Sequence, residues 1–149
     1  MWIIKPDERL RYWRQFRQKI GSESIEIAVK ETADLWSYAP YVAHYLHPHD
    51  LAEWPDPWTL VHENYYCDLA KALGMLYTLY LSDHWNKTID NLELRIYRAA
   101  SDTVNTVWVN DGKYILNLEF NTIVNKSSIT KDFDLQHRIT VEQLKLDQH

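Results

Sequence analysis

The pattern of apolar and polar positions divides the chain into a helical first half and a stranded second half. Apolar residues recur at helical spacing over about 6–20 and about 24–38. A third helical segment, about 57–82, is apolar almost all round from Leu69 to Leu81, as in a helix surrounded by protein. It either runs through to Ser82 or is interrupted near residues 64–66. The pattern therefore predicts three N-terminal helices, with the third at the centre of the core.

Residues that favour helix starts support these boundaries. Pro6 and Pro57 each stand in a first helical turn, where the N–H that proline lacks would be unpaired in any case. Ser22 or Ser24 can cap the second helix, and Asp56 the third, because their side chains accept a hydrogen bond from the first N–H groups of a helix. Gly21 is typical of a residue that ends a helix.

Beyond residue 86 the apolar period changes from helical to alternating, which is typical of strands with two different faces. Three strands joined as an antiparallel meander are predicted, with Asn110-Asp111-Gly112 as the tight turn before the third, which runs from Tyr114 to Asn121. A fourth strand near 135–141 ends in a capping box, Thr140 with Gln143. The sequence thus predicts an α+β fold, with helices packed on one face of an antiparallel sheet of three to four strands.

Length and charge limit the classes of protein that fit. A chain of 149 residues predicts a single domain spanning 1–149. The net charge of −5 argues against general nucleic-acid binding, which needs a basic surface. One cysteine cannot form an internal disulfide, and no signal segment or membrane-spanning run is expected. A cytoplasmic site of action is predicted, and with no phosphate or dinucleotide motif we expect no cofactor.

The single cysteine, Cys67, lies near the start of the apolar core helix. A helix N-terminus and a neighbouring imidazolium both lower the pKa of a thiol, which makes it a nucleophile. A cysteine at the start of a core helix, followed by antiparallel strands with a tight turn, resembles the transglutaminase-like and arylamine acetyltransferase-like branch of the papain-type cysteine enzymes. The match covers about 64–121. The resemblance implies that Cys67 is the nucleophile and that Asn117 stands where the family places its acid.

The histidine that the resemblance implies is absent from its expected strand, 103–109, which offers Asn105 and Thr106 instead. Without a base the thiol stays protonated, so a buried inert thiol in a pseudoenzyme is favoured. The alternative is a transglutaminase-like thiol enzyme in which Cys67 and Asn117 act with a displaced histidine, His84 or His62.

A stiff loop between the second and third helices contains several histidines and prolines. His44, His47 and His49 form an alternative metal site, but Pro48 breaks their spacing, so hydrogen-bonding or interface roles are favoured over a metal. Aromatic side chains with one wet side are typical of interfaces. The predicted binding residues are Trp54, Trp58, Trp85, Trp108, His47 and His49, with Trp108 expected on an open face of the sheet.

The whole chain, and residues 56–67 in particular, resembles small uncharacterised proteins of tailed bacteriophages. The resemblance implies a virion, assembly or host-directed accessory protein, acting in the host cytoplasm or the virion. The leading hypothesis is therefore a non-enzymatic interaction protein with a protein partner and the option of a homo-oligomer. The thiol enzyme is one alternative. A protein that sequesters a small ligand or nucleotide in the histidine-rich, tryptophan-lined loop is the second.

Overall fold

Helices precede strands along the chain, as the alternation pattern predicts. A computed structural model describes residues 1–43 and 45–146. The helices are α1 (Pro6–Gly21), α2 (Ile25–Ser37), α3 (Pro57–Glu63), α4 (Asp68–Tyr80) and α5 (Val141–Leu144), with short 3-10 turns at Leu51–Glu53 and Lys126–Ser128. The strands are β1 (Leu92–Ala99), β2 (Asp102–Val109), β3 (Tyr114–Leu116) and β4 (Phe133–Thr140). They form one antiparallel sheet in the order β3-β2-β1-β4, which confirms the α+β fold.

The third predicted helix is interrupted, so the continuous helix over 57–82 is not formed. Asn64 ends α3 in the left-handed conformation, at φ 61°. The chain then pairs with an earlier segment: the Tyr66 N–H donates to the Pro40 carbonyl at 2.8 Å, and the Val42 N–H donates to the Tyr66 carbonyl at 3.1 Å. This pairing satisfies backbone groups that a helix would have used. Cys67 consequently becomes the N-cap of a second helix, α4.

Helices α1, α2 and α4 meet at one buried hydroxyl. The indole N–H groups of Trp13 and Trp36 both donate to Thr78 Oγ1, at 3.0 and 2.9 Å. The hydroxyl itself donates to the Gly74 carbonyl one turn earlier in α4, at 2.7 Å. All three side chains are fully buried. Residue 74 must be a glycine for the Trp36 ring to pack here, because a Cβ at that position would lie 2.5 Å from the indole ring.

The two faces of the sheet bury different clusters. The inner face of β1 and β2 packs on α4 and joins the main core through Leu92, Leu94, Ile96, Val107 and Val109. The outer face carries Tyr97, Trp108 and Ile115, which Leu118, Val124, Ile129 and Phe133 cover. The segment that follows β3 therefore folds back over the outer face.

The third strand is much shorter than predicted. β3 spans only Tyr114–Leu116. The chain leaves the sheet at Asn117, whose φ of 68° is left-handed and breaks the extended conformation. The predicted turn before it is confirmed, with Asn110, Asp111 and Gly112 all at positive φ. The fourth strand and its capping box at Thr140 and Gln143 are also confirmed.

A buried carboxylate lies between two arginines on the outer face. Glu93 is 1% exposed and accepts hydrogen bonds from Arg95 and Arg138. The Arg95 guanidinium also lies 3.8 Å from the centre of the Trp108 ring. Burial by itself would raise the pKa of Glu93, but the hydrogen bonds from the two arginines outweigh it and hold that pKa below its usual value. In the described part of the chain, none of the helices has the length and apolarity needed to cross a membrane.

We expect Thr78→Val to destabilise the fold strongly, because it leaves the Trp13 and Trp36 indole N–H groups buried without an acceptor. Each orphaned donor costs about 1–3 kcal/mol, so the free energy of unfolding should fall by about 2–6 kcal/mol. Chemical denaturation measures this change. Thr78→Ser, which keeps the hydroxyl, is the matched control and should lose much less. Equal losses in both variants would contradict the role of the shared acceptor.

We expect Glu93→Gln to lower stability near neutral pH by about 1.5–3 kcal/mol, the usual value of hydrogen bonds to a charged group. Because the pKa of Glu93 is lowered in the folded state, its contribution is complete above the unfolded-chain value of about 4.3 and is lost as the pH falls through the folded-state pKa. Denaturation curves from neutral to acidic pH should therefore converge for the two proteins. A difference that stays constant with pH would contradict this origin.

Candidate functional site

Cys67 lies at the start of α4, the core helix on which β1 and β2 pack. Cys67 is the N-cap residue of this helix, and its side chain makes no capping hydrogen bond. It is 6% exposed. Asp68, the first residue of the helix, is exposed and lies where the positive end of the helix dipole favours a carboxylate. The predicted placement of Cys67 at a helix start is thus the placement found.

Two asparagine side chains from the sheet converge on Asp68. The Asn105 amide on β2 donates to Asp68 Oδ2 at 2.8 Å, and the Asn117 amide just after β3 donates to Asp68 Oδ1 at 3.3 Å. Asn117 also donates to the Asn105 carbonyl, at 2.8 Å. The structure therefore brings Asn117 to the Cys67 end of α4, as the family resemblance implies. Asp68 and Asn105 are members of this network that the sequence did not single out for a role.

Asn105 faces the start of the core helix from the strand in which a histidine was expected. Its neighbour Thr106 belongs to the other face of β2, since its hydroxyl donates to the Arg95 carbonyl at 2.7 Å and accepts from the Trp108 indole at 3.1 Å. An amide has no basic nitrogen, so Asn105 cannot remove a proton from a thiol. In the strand where the resemblance implies a histidine, the side chain facing α4 is thus a hydrogen-bond donor.

His84 does not complete the alternative thiol site. It follows the far end of α4, and a helix of 13 residues is about 20 Å long. Its ring is buried, with Nε2 at 2.8 Å from the Ile20 carbonyl and Nδ1 bonded to the Thr88 hydroxyl. His62 is exposed on α3. In the described part of the chain, no histidine side chain hydrogen bonds to Cys67, Asp68, Asn105 or Asn117.

A tyrosine near Cys67 does not supply a base either. Burial raises the pKa of the Tyr45 phenol, and the neighbouring Glu63, Tyr65 and Cys67 raise it further. The phenol therefore stays protonated at neutral pH and cannot accept a proton from the thiol. Its ring packs against that of Tyr65, with the ring centres 5.5 Å apart.

An open cleft of about 430 Å³ adjoins this network. It is lined by two members of the network, Asp68 and Asn117, and also by Lys71, Asp102, Glu119 and Phe120. Phe120 lines the cleft and is 64% exposed, and two other exposed rings lie near the lining: Tyr38 is 62% exposed, and Tyr41 is 68% exposed with its ring centre 5.9 Å from Lys71 Nζ. The rings of Tyr38 and Phe120 pack edge to face with their centres 5.2 Å apart. The sequence offered little to find these residues, because Tyr38 and Phe120 are far apart in the chain.

The tryptophans predicted to bind a partner lie in four different parts of the fold. Trp54 is half-buried and donates to the His47 carbonyl at 2.9 Å, and Trp85 packs on Tyr80 with ring centres 5.0 Å apart. Trp58 is exposed on α3. The expectation that Trp108 lies on an open face is wrong, because the segment after β3 covers it and leaves it 5% exposed.

The histidine-rich loop also folds against the body. His49 is exposed, and its ring packs edge to face on that of His137 in β4, with centres 5.1 Å apart. His47 is exposed and contributes its carbonyl to Trp54. Within residues 1–43 and 45–146, no three histidine, cysteine or acidic side chains lie close enough to hold a metal ion. His44 lies outside the described residues, so the alternative site of His44, His47 and His49 stays a prediction.

A core helix that begins after a cysteine N-cap, with Asn105 of β2 and Asn117 just after β3 converging on its first turn, is similar to the transglutaminase-like, papain-type arrangement. No protein-family model and no curated protein matches the chain.

Among solved structures, LapG of Legionella pneumophila is similar, with a TM-score of 0.68 and 11% identity over 91% of this chain and 76% of that one. Its calcium-bound form gives 0.69 and 12% over the same shares. Its EGTA-treated form gives 0.68 and 11% over 91% and 74%. At this identity the likeness establishes the fold, and it supports the transglutaminase-like resemblance.

We expect the native Cys67 thiol to react slowly with iodoacetamide, because it is buried and has no imidazole partner in the described network. The rate should follow that of an ordinary buried thiol across neutral pH and rise sharply only on unfolding in denaturant. Mass spectrometry of timed samples measures it. Rapid alkylation of the folded protein at mildly acidic pH would contradict the absence of an activating base.

Proposed function

We propose that this protein is a non-catalytic protein of transglutaminase-like fold, whose cleft at the start of α4 binds a polypeptide segment of a partner without cutting it. The likeness to LapG supports a thiol-enzyme ancestry at the level of fold. The site supports binding over chemistry. A partner in a phage virion or in its host is the context that the sequence resemblance favours.

The observation that carries the proposal is the Asp68–Asn105–Asn117 network. Thiol catalysis needs a base within hydrogen-bond reach of the sulfur. Here the amide groups of Asn105 and Asn117 are bonded to the Asp68 carboxylate instead. An amide neither accepts a proton at neutral pH nor returns one to a leaving group, so Asn105 and Asn117 cannot carry the proton of an acyl-transfer cycle. The network holds the end of α4 against the sheet.

The cleft is suited to a peptide because of its size and its rim. Its volume of about 430 Å³ is in the range of pockets that enclose a ligand. Exposed aromatic rings grouped at one place mark an interaction surface, whereas single exposed apolar residues are ordinary. Tyr38 and Phe120 form such a pair, and the exposed Tyr41 ring lies beside Lys71 of the cleft lining. A main chain lying over them could also exchange hydrogen bonds with polar groups of the wall.

Peptide retention tests this function directly. A proteolytic digest of an unrelated protein is passed over the immobilised wild type and over Phe120→Ala, and the retained peptides are identified by mass. We expect the wild type to retain peptides that Phe120→Ala releases, all of them uncut after long contact. Tyr12→Ala, an exposed aromatic on α1 away from the cleft, is the matched control. Equal retention by all three, or new cleavage products, would overturn the proposal.

We expect Asn105→His to activate Cys67, because it places an imidazole on the strand position that faces the start of α4. The alkylation rate of the folded protein at neutral pH should rise by about tenfold or more, the usual effect of an imidazole on thiolate content. Asn105→Gln, which keeps an amide, is the control and should leave the rate unchanged. An unchanged rate in folded Asn105→His would show that Asn105 is not at the base position.

The thiol enzyme is the second candidate, and the N-cap position of Cys67 is the observation that favours it. The positive end of a helix dipole stabilises negative charge, and this source of activation needs no histidine. This candidate requires fast alkylation of the wild type at mildly acidic pH together with cut peptides in the retention experiment. Slow alkylation and intact peptides would eliminate it.

A further inference from the structure

The cleft beside Cys67 has an excess of negative charge. Of the charged side chains that line it, Asp68, Asp102 and Glu119 are carboxylates and Lys71 is the cation. The hydrogen bonds to Asp68 come from neutral amides, so they orient that carboxylate without cancelling its charge. Asp102 and Glu119 are exposed at the mouth of the cleft.

The cation of the cleft is held against its wall. Lys71 Nζ donates to the Ser37 carbonyl at 3.3 Å and lies 5.9 Å from the centre of the Tyr41 ring. Partial burial lowers the pKa of Lys71, and the nearby Asp68 carboxylate opposes that shift. Asp102 and Glu119 make no ion pair with any described residue. Their charges therefore remain available to a ligand.

Carboxylates and exposed rings together favour one kind of side chain. A guanidinium or ammonium group gains from a nearby carboxylate and also from the face of an aromatic ring. Phe120 follows Glu119 directly and its ring packs with that of Tyr38 at the rim. Arginine fits best, because its planar group can stack on a ring while it bonds to a carboxylate.

We infer that the cleft takes a basic segment, with arginine or lysine side chains lying between the Asp102 and Glu119 carboxylates and the Tyr38–Phe120 ring pair. This inference rests on the proposed peptide-binding function and narrows its partner to a segment rich in positive charge. An acidic segment is disfavoured by repulsion from the same carboxylates.

Fluorescence anisotropy with synthetic peptides tests the inference. The probe is a short labelled peptide of alternating arginine and serine, and its partner has citrulline, which is neutral and of the same shape, at each arginine. We expect the arginine peptide to bind the wild type more tightly. Asp102→Asn with Glu119→Gln should weaken it about 3- to 10-fold, from exposed ion pairs, and Phe120→Ala about 2- to 5-fold, from a cation–π contact. Asp132→Asn with Glu142→Gln, which also removes two exposed carboxylates but outside the cleft lining, is the charge-matched control and should change nothing.

The outcomes separate the two proposals. If the citrulline peptide binds as tightly as the arginine peptide and Phe120→Ala weakens both, the cleft binds peptides without regard to charge, so the inference is overturned and the proposed function stands. If the charge control weakens the arginine peptide as much as the cleft double variant does, the attraction comes from the net charge alone, and if neither variant weakens it, the cleft carboxylates do not hold it; either result overturns the inference. If Phe120→Ala changes neither peptide, the proposed function fails with it.

Discussion

The hydroxyl of Thr78 holds the helical half of the molecule together. Two large indoles from α1 and α2 enter the core only because their polar N–H groups find an acceptor on α4, and a single oxygen serves both. An indole N–H buried without an acceptor would lower the free energy of unfolding, because it loses its hydrogen bonds to water and gains none in the core. Because Gly74 lies one turn before Thr78 and leaves room for the Trp36 ring, α4 and α2 approach closely at this point. The direction of α4 is thereby fixed.

That direction determines where Cys67 lies. The helix begins where the chain is tied to the segment around Pro40 by the Tyr66 backbone, and its other end is tied to α1 through His84 and the Ile20 carbonyl. The strands pack along its length, so the ends of β2 and β3 meet its first turn. The same geometry can serve a thiol enzyme or a binding protein. At the meeting point the sheet side contributes two amides, Asn105 and Asn117, and the helix contributes the Asp68 carboxylate.

The fold could be predicted from the sequence wherever local signals and burial agreed. Pro57 after Asp56 marked a true helix start, and the alternation over 92–96 marked a true strand. The predicted C-terminal end of β3 was wrong, because the alternating pattern continues past Asn117. There the backbone adopts a left-handed conformation and leaves the sheet, and Leu118 packs on the outer face instead. Trp108 was misplaced for the same reason, since what covers a strand face comes from distant residues. The Asp68 network and the Tyr38–Phe120 ring pair could not be predicted, because their members are far apart in the sequence and meet only in the folded chain.

The segment that leaves β3 has two roles that connect distant parts of the molecule. Its first residues, 117–120, form one wall of the cleft, and its continuation through Val124 and Ile129 lies over Trp108. A shift of the wall would therefore be transmitted to the surroundings of one indole that is packed between Arg95 and apolar side chains. A movement of the wall should therefore change the emission of Trp108, one of the seven tryptophans of the chain, and the difference between the wild type and Trp108→Phe would isolate that signal without an attached label.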